Sequence, residues 1–177
     1  MMQTPEPTSV ERAAPELLQE VYLLQDLTQP QLERVAGITQ IVEFPAQTRI
    51  ITEGESGEEM YILVGGKVRV MKQLTFFEES ERDEMAKTLS TLDGKERPFF
   101  GELGLLGQLE RTASVIAVEA CRLVKISRGS FEKLCEEDPR LGCLILKRIA
   151  LVTGERLFRT NRDVMKLSTA LCLALEE

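Results

Sequence analysis

Residues 100–106 read Phe-Gly-Glu-Leu-Gly-Leu-Leu, and residues 111–115 read Arg-Thr-Ala-Ser-Val. Gly101 and Gly104 let the main chain come close to a ligand. A short helical turn beginning near Leu103 points free N–H groups outward and favours an anion. Arg111 follows nine residues after Glu102, and a guanidinium grips a phosphate diester through two parallel charged hydrogen bonds. Glu102 is a poor neighbour for that phosphate. Its carboxylate suits a hydroxyl instead, and it can help to hold Arg111. Together these groups fit a ligand with one ribose hydroxyl and one phosphate charge. On chemistry alone they fit equally well a strand-to-helix turn closed by a structural Glu–Arg salt bridge.

The sequence on either side reads as many short strands with flanking helices. Leu17, Leu18, Val21 and Leu24 have helical spacing and predict a helix from Pro15 to Leu27. Thr28 and Gln31 form a capping box, flanked by Leu27 and Leu32 as a hydrophobic staple, and the helix they start ends near Gly37. The period then changes to two through Val42 and Phe44, followed by a strand at Arg49–Thr52 and the acidic turn EGESGEE. Met60, Ile62 and Val64 alternate with Tyr61 and Leu63 up to Gly65-Gly66, which predicts a hairpin into Val68 and Val70. Residues 73–86 predict a solvated acidic loop or short helix; its Phe76 and Phe77 are the rival sign of a protein-docking site. Strands resume at Lys87–Thr91, Thr112–Val118 and Arg122–Ser127.

Ser127 caps a helix through Cys135, and Asp138-Pro139 starts a longer one reaching about Asn161. That helix is apolar on more than one side, which predicts one face on the strands and another on a second copy. Asp163–Leu175 predicts a separate last helix.

Composition narrows the function. The 177 residues are 43% hydrophobic and 29% charged, which is globular. A net charge of −7 without a basic stripe makes a poor nucleic-acid surface. Histidine is absent, which removes His-based acid–base catalysis, triads and most zinc or iron sites, so no catalytic or metal residues are expected. Cysteines 121, 135, 143 and 172 form no C-x-x-C pair and predict buried, reduced thiols. No signal peptide or apolar span is seen, so a cytoplasmic protein away from membranes is expected.

The segment Phe100–Leu106 with Arg111–Val115 resembles the phosphate-binding cassette of the cyclic-nucleotide-binding domain family, which includes the catabolite activator protein and the protein kinase A regulatory subunits. Glu53-Gly54-Glu55, Gly57, Met60–Leu63, Gly65 and Val68 are further marks of that family. Two departures stand out: Arg97-Pro98-Phe99 where the family has a Gly-x-x-F turn, and a longer 73–86 segment. The resemblance implies a mainly β fold: an antiparallel, jelly-roll-like β-roll with N-terminal helices, a short cassette helix and a long C-terminal helix. It divides the chain into a flexible tail (1–14), the roll with N-terminal helices (15–137) and C-terminal lid or dimer helices (138–177). It implies that Glu102 binds the ribose 2′-hydroxyl and Arg111 the phosphate oxygens. Phe100, Gly101, Leu103, Gly104, Thr112 and Ala113 complete the pocket, and Thr153, Arg156 and Arg159 are candidate purine contacts.

The function so implied is a regulatory sensor module and not an enzyme. cAMP or cGMP is its ligand, with no cofactor. Binding moves the C-terminal helices, and homodimerisation through the long helix and a protein effector are its expected partners. The alternatives are a ligand-free roll used for dimerisation or docking, and the sensor half of a transcription regulator without its DNA-binding domain.

Overall fold

The computed structural model describes residues 11–73, 87–107 and 110–175. Residues 1–10 of the expected tail and the docking reading of Phe76 and Phe77 lie outside them. Residues 11–14, expected in the tail, are tied down: Ala13 is buried, and its N–H donates to Thr39 Oγ1 at 3.0 Å.

Among the described residues, eight strands form two four-stranded antiparallel sheets. One has the order β1 (Thr39–Phe44), β8 (Cys121–Ser127), β3 (Glu59–Gly65), β6 (Phe99–Phe100). The other has the order β2 (Arg49–Ile51), β7 (Ser114–Ala117), β4 (Lys67–Lys72), β5 (Lys87–Asp93). The first sheet is buried on both faces, which is why β3 reads as a continuous apolar run. Ile41, Met60, Ile62, Phe99, Val124 and Ile126 face outward beneath the helices. Val42, Ile51, Tyr61, Leu63, Val68 and Leu123 face inward, between the sheets.

The turn at Gly65-Gly66 is not the expected hairpin. β3 and β4 belong to different sheets, so the chain turns a corner there and both strands keep an apolar face toward the interior. Gly66 sits at φ 82°, with a position for Cβ only 2.4 Å from the carbonyl oxygen of Ala120. A hairpin would have left the inner face of one strand without a partner layer.

Among the helices, the expected Pro15–Leu27 helix is broken. α1 spans Pro15–Gln19, and a single 3₁₀ turn follows at Tyr22–Leu24. Val21 is extended between them, which lets Leu18, Val21, Leu23, Leu24 and Leu27 all reach the core. One straight helix would have pointed adjacent Leu23 and Leu24 in different directions. α2 (Gln29–Gly37) begins at the predicted capping box, where Thr28 N–H donates to Gln31 Oε1 at 2.9 Å. α3 (Glu102–Leu105) is the cassette turn, and α4 (Arg128–Glu137) is capped by Ser127.

α5 runs unbroken from Pro139 to Leu175, 37 residues, so the separate last helix is overturned. Nothing between Asn161 and Asp163 stops it. The Thr160 hydroxyl donates to the Arg156 carbonyl at 3.0 Å, and Lys166 pairs with Asp163 at 3.3 Å, both within the helix. Its root packs through Leu141, Ile145 and Ile149; from Leu157 onward every described residue is exposed. No helix of the described residues is long and apolar enough to cross a membrane. Of the four cysteines, Cys121 is buried and Cys135 half-buried, but Cys143 and Cys172 are exposed on α5, contrary to the expectation for all four.

Candidate functional site

A cavity of about 500 Å³ lies between the second sheet, α3 and the outer part of α5. Ile51, Val70, Leu92 and Val115 give it an apolar wall, and Gly101–Gly104 and Arg111 close one end.

Arg111 is only 8% exposed. Its main chain is pinned to the β2–β3 turn: its N–H donates to the Glu55 carbonyl and its own carbonyl accepts from Gly54 N–H, both at 2.9 Å. Its Nη1 donates to the main-chain oxygens of Glu59 (2.8 Å) and Gly101 (3.3 Å), and its Nη2 to the Glu59 carboxylate at 3.0 Å. A guanidinium carries five N–H donors. Here Nε–H and one Nη2–H have no partner among the described residues. A buried cation with unspent donors on the wall of a cavity is stabilised by an anion there.

Glycine makes this seat possible. A Cβ on Gly57 would lie 2.2 Å from Arg111 Nε, so the guanidinium lies flat against a bare α-carbon. Gly101 adopts φ 76°, and its Cβ would meet the Glu59 carbonyl at 2.9 Å.

Glu102 does not hold Arg111, contrary to expectation. It stands at the start of α3, turned toward α5, and its Oε1 accepts from Arg156 Nη1 at 2.9 Å. Its Oε2 has no partner among the described residues, so one carboxylate oxygen remains for a hydroxyl. Arg156 Nη2 also donates to the Phe99 carbonyl at 2.6 Å, and its guanidinium lies 4.9 Å from the Phe99 ring centroid. The carboxylate on Arg111 comes instead from Glu59, the first residue of β3. Sequence reasoning missed it, because only the pairing of β3 with β6 brings Glu59 beside Gly101.

The other predicted residues divide. Phe100, Leu103, Thr112, Ala113, Arg156 and Arg159 line the cavity. Thr153 does not; it sits one turn nearer the docked root of α5, its hydroxyl buried without a partner among the described residues. Thr160 and Asp163 line the cavity and were missed. They follow Arg156 and Arg159 by four residues, one helical turn, a spacing hidden by the break expected near Arg162.

Two polar features brace this end of the roll. Lys72 Nζ donates to Glu53 Oε1 (2.8 Å) and to the Thr112 carbonyl (2.9 Å), while Glu53 Oε2 accepts from Gln73 N–H (2.9 Å). Burial works to raise the Glu53 carboxyl pKa, but the Lys72 and Gln73 bonds together hold it below the ordinary range. Tyr61 stacks on Phe100 with ring centroids 5.7 Å apart. Burial, then the Glu59 carboxylate, push its phenol up to about 12.

The unfolded phenol titrates near 10, so from about pH 10 upward the unfolded chain loses this proton first and stability falls. The expected loss is up to roughly 3 kcal/mol by about pH 12, from ~1.4 kcal/mol per pH unit. Urea melts across that window check it: Tyr61→Phe should flatten the slope, and an unchanged slope would contradict the assignment.

The spatial arrangement now matches the sequence pattern: the two cassette halves enclose one cavity around a buried arginine. The cyclic nucleotide-binding domain model matches residues 41–138. The chain belongs to the cyclic nucleotide-binding domain family. Within it, the chain is 34% identical over 143 residues to the cAMP-activated global transcriptional regulator CRP of Salmonella typhimurium, spanning 80% of this chain and 61% of that protein. It is 31% identical over 118 residues to cGMP-dependent protein kinase, isozyme 1, of Drosophila melanogaster, covering 66% of this chain and 14% of the kinase. The chain thus spans less than two thirds of these relatives' lengths. Among solved structures, a cyclic nucleotide-binding domain from Methylobacillus flagellatus superposes with a TM-score of 0.70 at 22% identity, covering 84% of this chain and 78% of that one. The Thermus thermophilus catabolite activator protein superposes at 0.68 with 25% identity, covering 82% and 62%. These members of the family share the two-sheet roll with flanking helices.

Proposed function

We propose that the chain is a regulatory module that binds cAMP or cGMP and passes the binding event to α5. The observation that carries this is Arg111: a buried guanidinium, held by Glu59 and two carbonyls, with two N–H groups left at the end of a roughly 500 Å³ cavity. In this reading those groups take the cyclic phosphate, and the main chain of Gly101–Gly104 lines it. Phe100, Thr112 and Ala113 complete that end. Glu102 accepts from the ribose 2′-hydroxyl with its remaining oxygen, and the apolar wall receives the purine beneath Arg156 and Arg159.

Coupling follows from who holds Glu102. The outer half of α5 reaches the cassette through Arg156, bonded to Glu102 and Phe99. A ribose hydroxyl on Glu102 changes the charge environment of that tether. Ligand shifts the position of α5 only if it favours one arrangement over the other.

Calorimetry with cAMP and cGMP tests the binding, and amide hydrogen exchange over residues 150–175 with and without ligand tests the coupling. Micromolar or tighter heat-producing binding with altered exchange is expected. Absence of heat and of any thermal shift at millimolar ligand would sink the reading. The homologous relatives, named for cAMP and cGMP, support the ligand class without choosing between them.

A second copy is the expected partner of α5. Leu157, Val164 and Leu171, with Leu167, recur at heptad spacing on one exposed stripe. Sedimentation equilibrium is expected to show a dimer, and a monomer at all concentrations would refute it.

A further inference from the structure

We propose that a second apolar row on α5 is a docking groove for an amphipathic helix of a partner protein, one whose leucine-type residues are flanked by Asp or Glu. The row lies outside the nucleotide cavity, so the inference stands apart from the role of Arg111.

Leu144, Leu151, Phe158 and Met165 recur at heptad spacing along α5. Leu144 is half-buried against the core, whereas Leu151, Phe158 and Met165 are 49%, 64% and 65% exposed. The stripe expected to meet a second copy, Leu157, Val164 and Leu171, lies one residue away, a rotation of about 100°. A two-stranded seam covers only a narrow stripe of each helix. Pairing through Leu157, Val164 and Leu171 therefore leaves Phe158 and Met165 facing water. Aligned apolar side chains left exposed in this way mark an interaction site.

At its N-terminal end the row drops into a cleft of about 190 Å³, walled by Leu23, Leu27, Leu144 and Leu151. The cleft has room for one aliphatic side chain. Its two walls are tied together: Arg148 of α5 donates from Nε to Asp26 Oδ2 at 2.8 Å, and its guanidinium lies 4.9 Å from the Tyr22 ring centroid. A recessed pocket followed by an exposed row of the same period is a surface that a helix fills with residues at i and i+7. A flat bilayer cannot reach the floor of the cleft, where Leu23 and Leu27 are buried.

Charge selects the partner. α5 carries seven basic side chains and two acidic ones, on a chain whose net charge is −7. Arg140, Lys147 and Arg162 stand beside the row, each three or four residues from one of its members. None of the three has a partner among the described residues. Glu155 is the one carboxylate of α5 on this side, since Asp163 faces the cavity. A helix with Asp or Glu along the edges of its apolar face is attracted to these cations, and a helix edged with Lys or Arg is repelled. The row from Leu144 to Met165 is roughly 31 Å long at about 1.5 Å per residue, the length of three heptads.

The test uses the full chain and a synthetic peptide of three heptads, with Leu at the first and fourth heptad positions and Glu on either side of them. Repulsion among its Glu residues keeps the peptide from pairing with itself. A twin peptide carries Lys in place of Glu. Fluorescence anisotropy is expected to show micromolar binding of the Glu peptide and roughly tenfold weaker binding of the Lys peptide. Leu151→Glu and Phe158→Glu should each weaken the Glu peptide by about tenfold or more and, as exposed positions, leave the melting temperature unchanged. Lys147→Glu/Arg162→Glu should reverse the preference, so that the Lys peptide binds better, a gain that no loss of folding produces. No binding of the Glu peptide, equal binding of the two peptides, or an unaffected Leu151→Glu overturns the proposal. Occupation by another class overturns it too. An assembly larger than a dimer that Phe158→Glu reduces to a dimer gives the row to further copies of the chain. Flotation with phosphatidylserine–phosphatidylcholine vesicles that Phe158→Glu abolishes gives it to a bilayer.

Discussion

Arg111→Leu is expected to weaken cyclic-nucleotide binding by two or more decades. Removing one partner of a buried charged contact costs about 2–5 kcal/mol, and each decade of affinity is about 1.4 kcal/mol. The ligand phosphate would lose its cation and meet the Glu59 carboxylate with nothing between them. That carboxylate is 36% exposed and can turn to water, so the empty protein should stay folded. Arg111→Lys should fall between: an ammonium restores charge but cannot reach Glu59, the Gly101 carbonyl and a phosphate at once. Titration calorimetry, with thermal melts of the unliganded variants as the control for folding, reads both. A loss under threefold for Arg111→Leu would remove Arg111 from the site.

The second large effect comes from a residue that touches no ligand. Gly57→Ala puts a methyl carbon within 2.2 Å of Arg111 Nε and 2.5 Å of Cζ. What it strikes is the end of a flexible side chain, so the fold can absorb it at a cost of about 1 kcal/mol, toward the low end for overpacking. The guanidinium cannot stay where it is. Affinity should therefore fall nearly as far as in Arg111→Leu. The Arg111→Leu/Gly57→Ala double variant should lose little more than Arg111→Leu alone, because both remove one interaction. Additive losses would mean that Gly57 acts elsewhere, and an unaffected Gly57→Ala would mean that the seat of Arg111 is not what sets affinity.

These two residues also mark the boundary of what could be read from sequence. The cassette was legible because its parts lie close in the chain: Gly101, Glu102 and Arg111 fall within eleven residues, and their chemistry is local. The contact that seats Arg111 was not legible, since Glu59 and Gly57 reach it across strands separated by about fifty residues. The strands themselves followed from period-two patterning, but not their assignment to sheets. Gly65-Gly66 has hairpin composition, and only the need to bury inward faces on opposite layers makes it a corner. The same competition broke the first predicted helix, where burial of Leu23 and Leu24 together outweighed a regular helical stripe. In α5 the error ran the other way. Asn161 and Asp163 look like helix ends, but nothing in the chain there forbids continuation, and the missed Thr160 and Asp163 lie on the stretch so misjudged.

The unbroken α5 has a mechanical corollary. Its root is fixed by Leu141, Ile145 and Ile149, and Arg156 is a side strap two turns beyond Ile149. The nineteen residues beyond Arg156, ending at Leu175, extend roughly 28 Å at about 1.5 Å per residue. A tilt of about ten degrees at the strap would then swing the far end by roughly 5 Å, the pitch of one helical turn. Ångström-scale adjustments around a small ligand would arrive at Leu171 as a displacement large enough to re-register whatever lies against it.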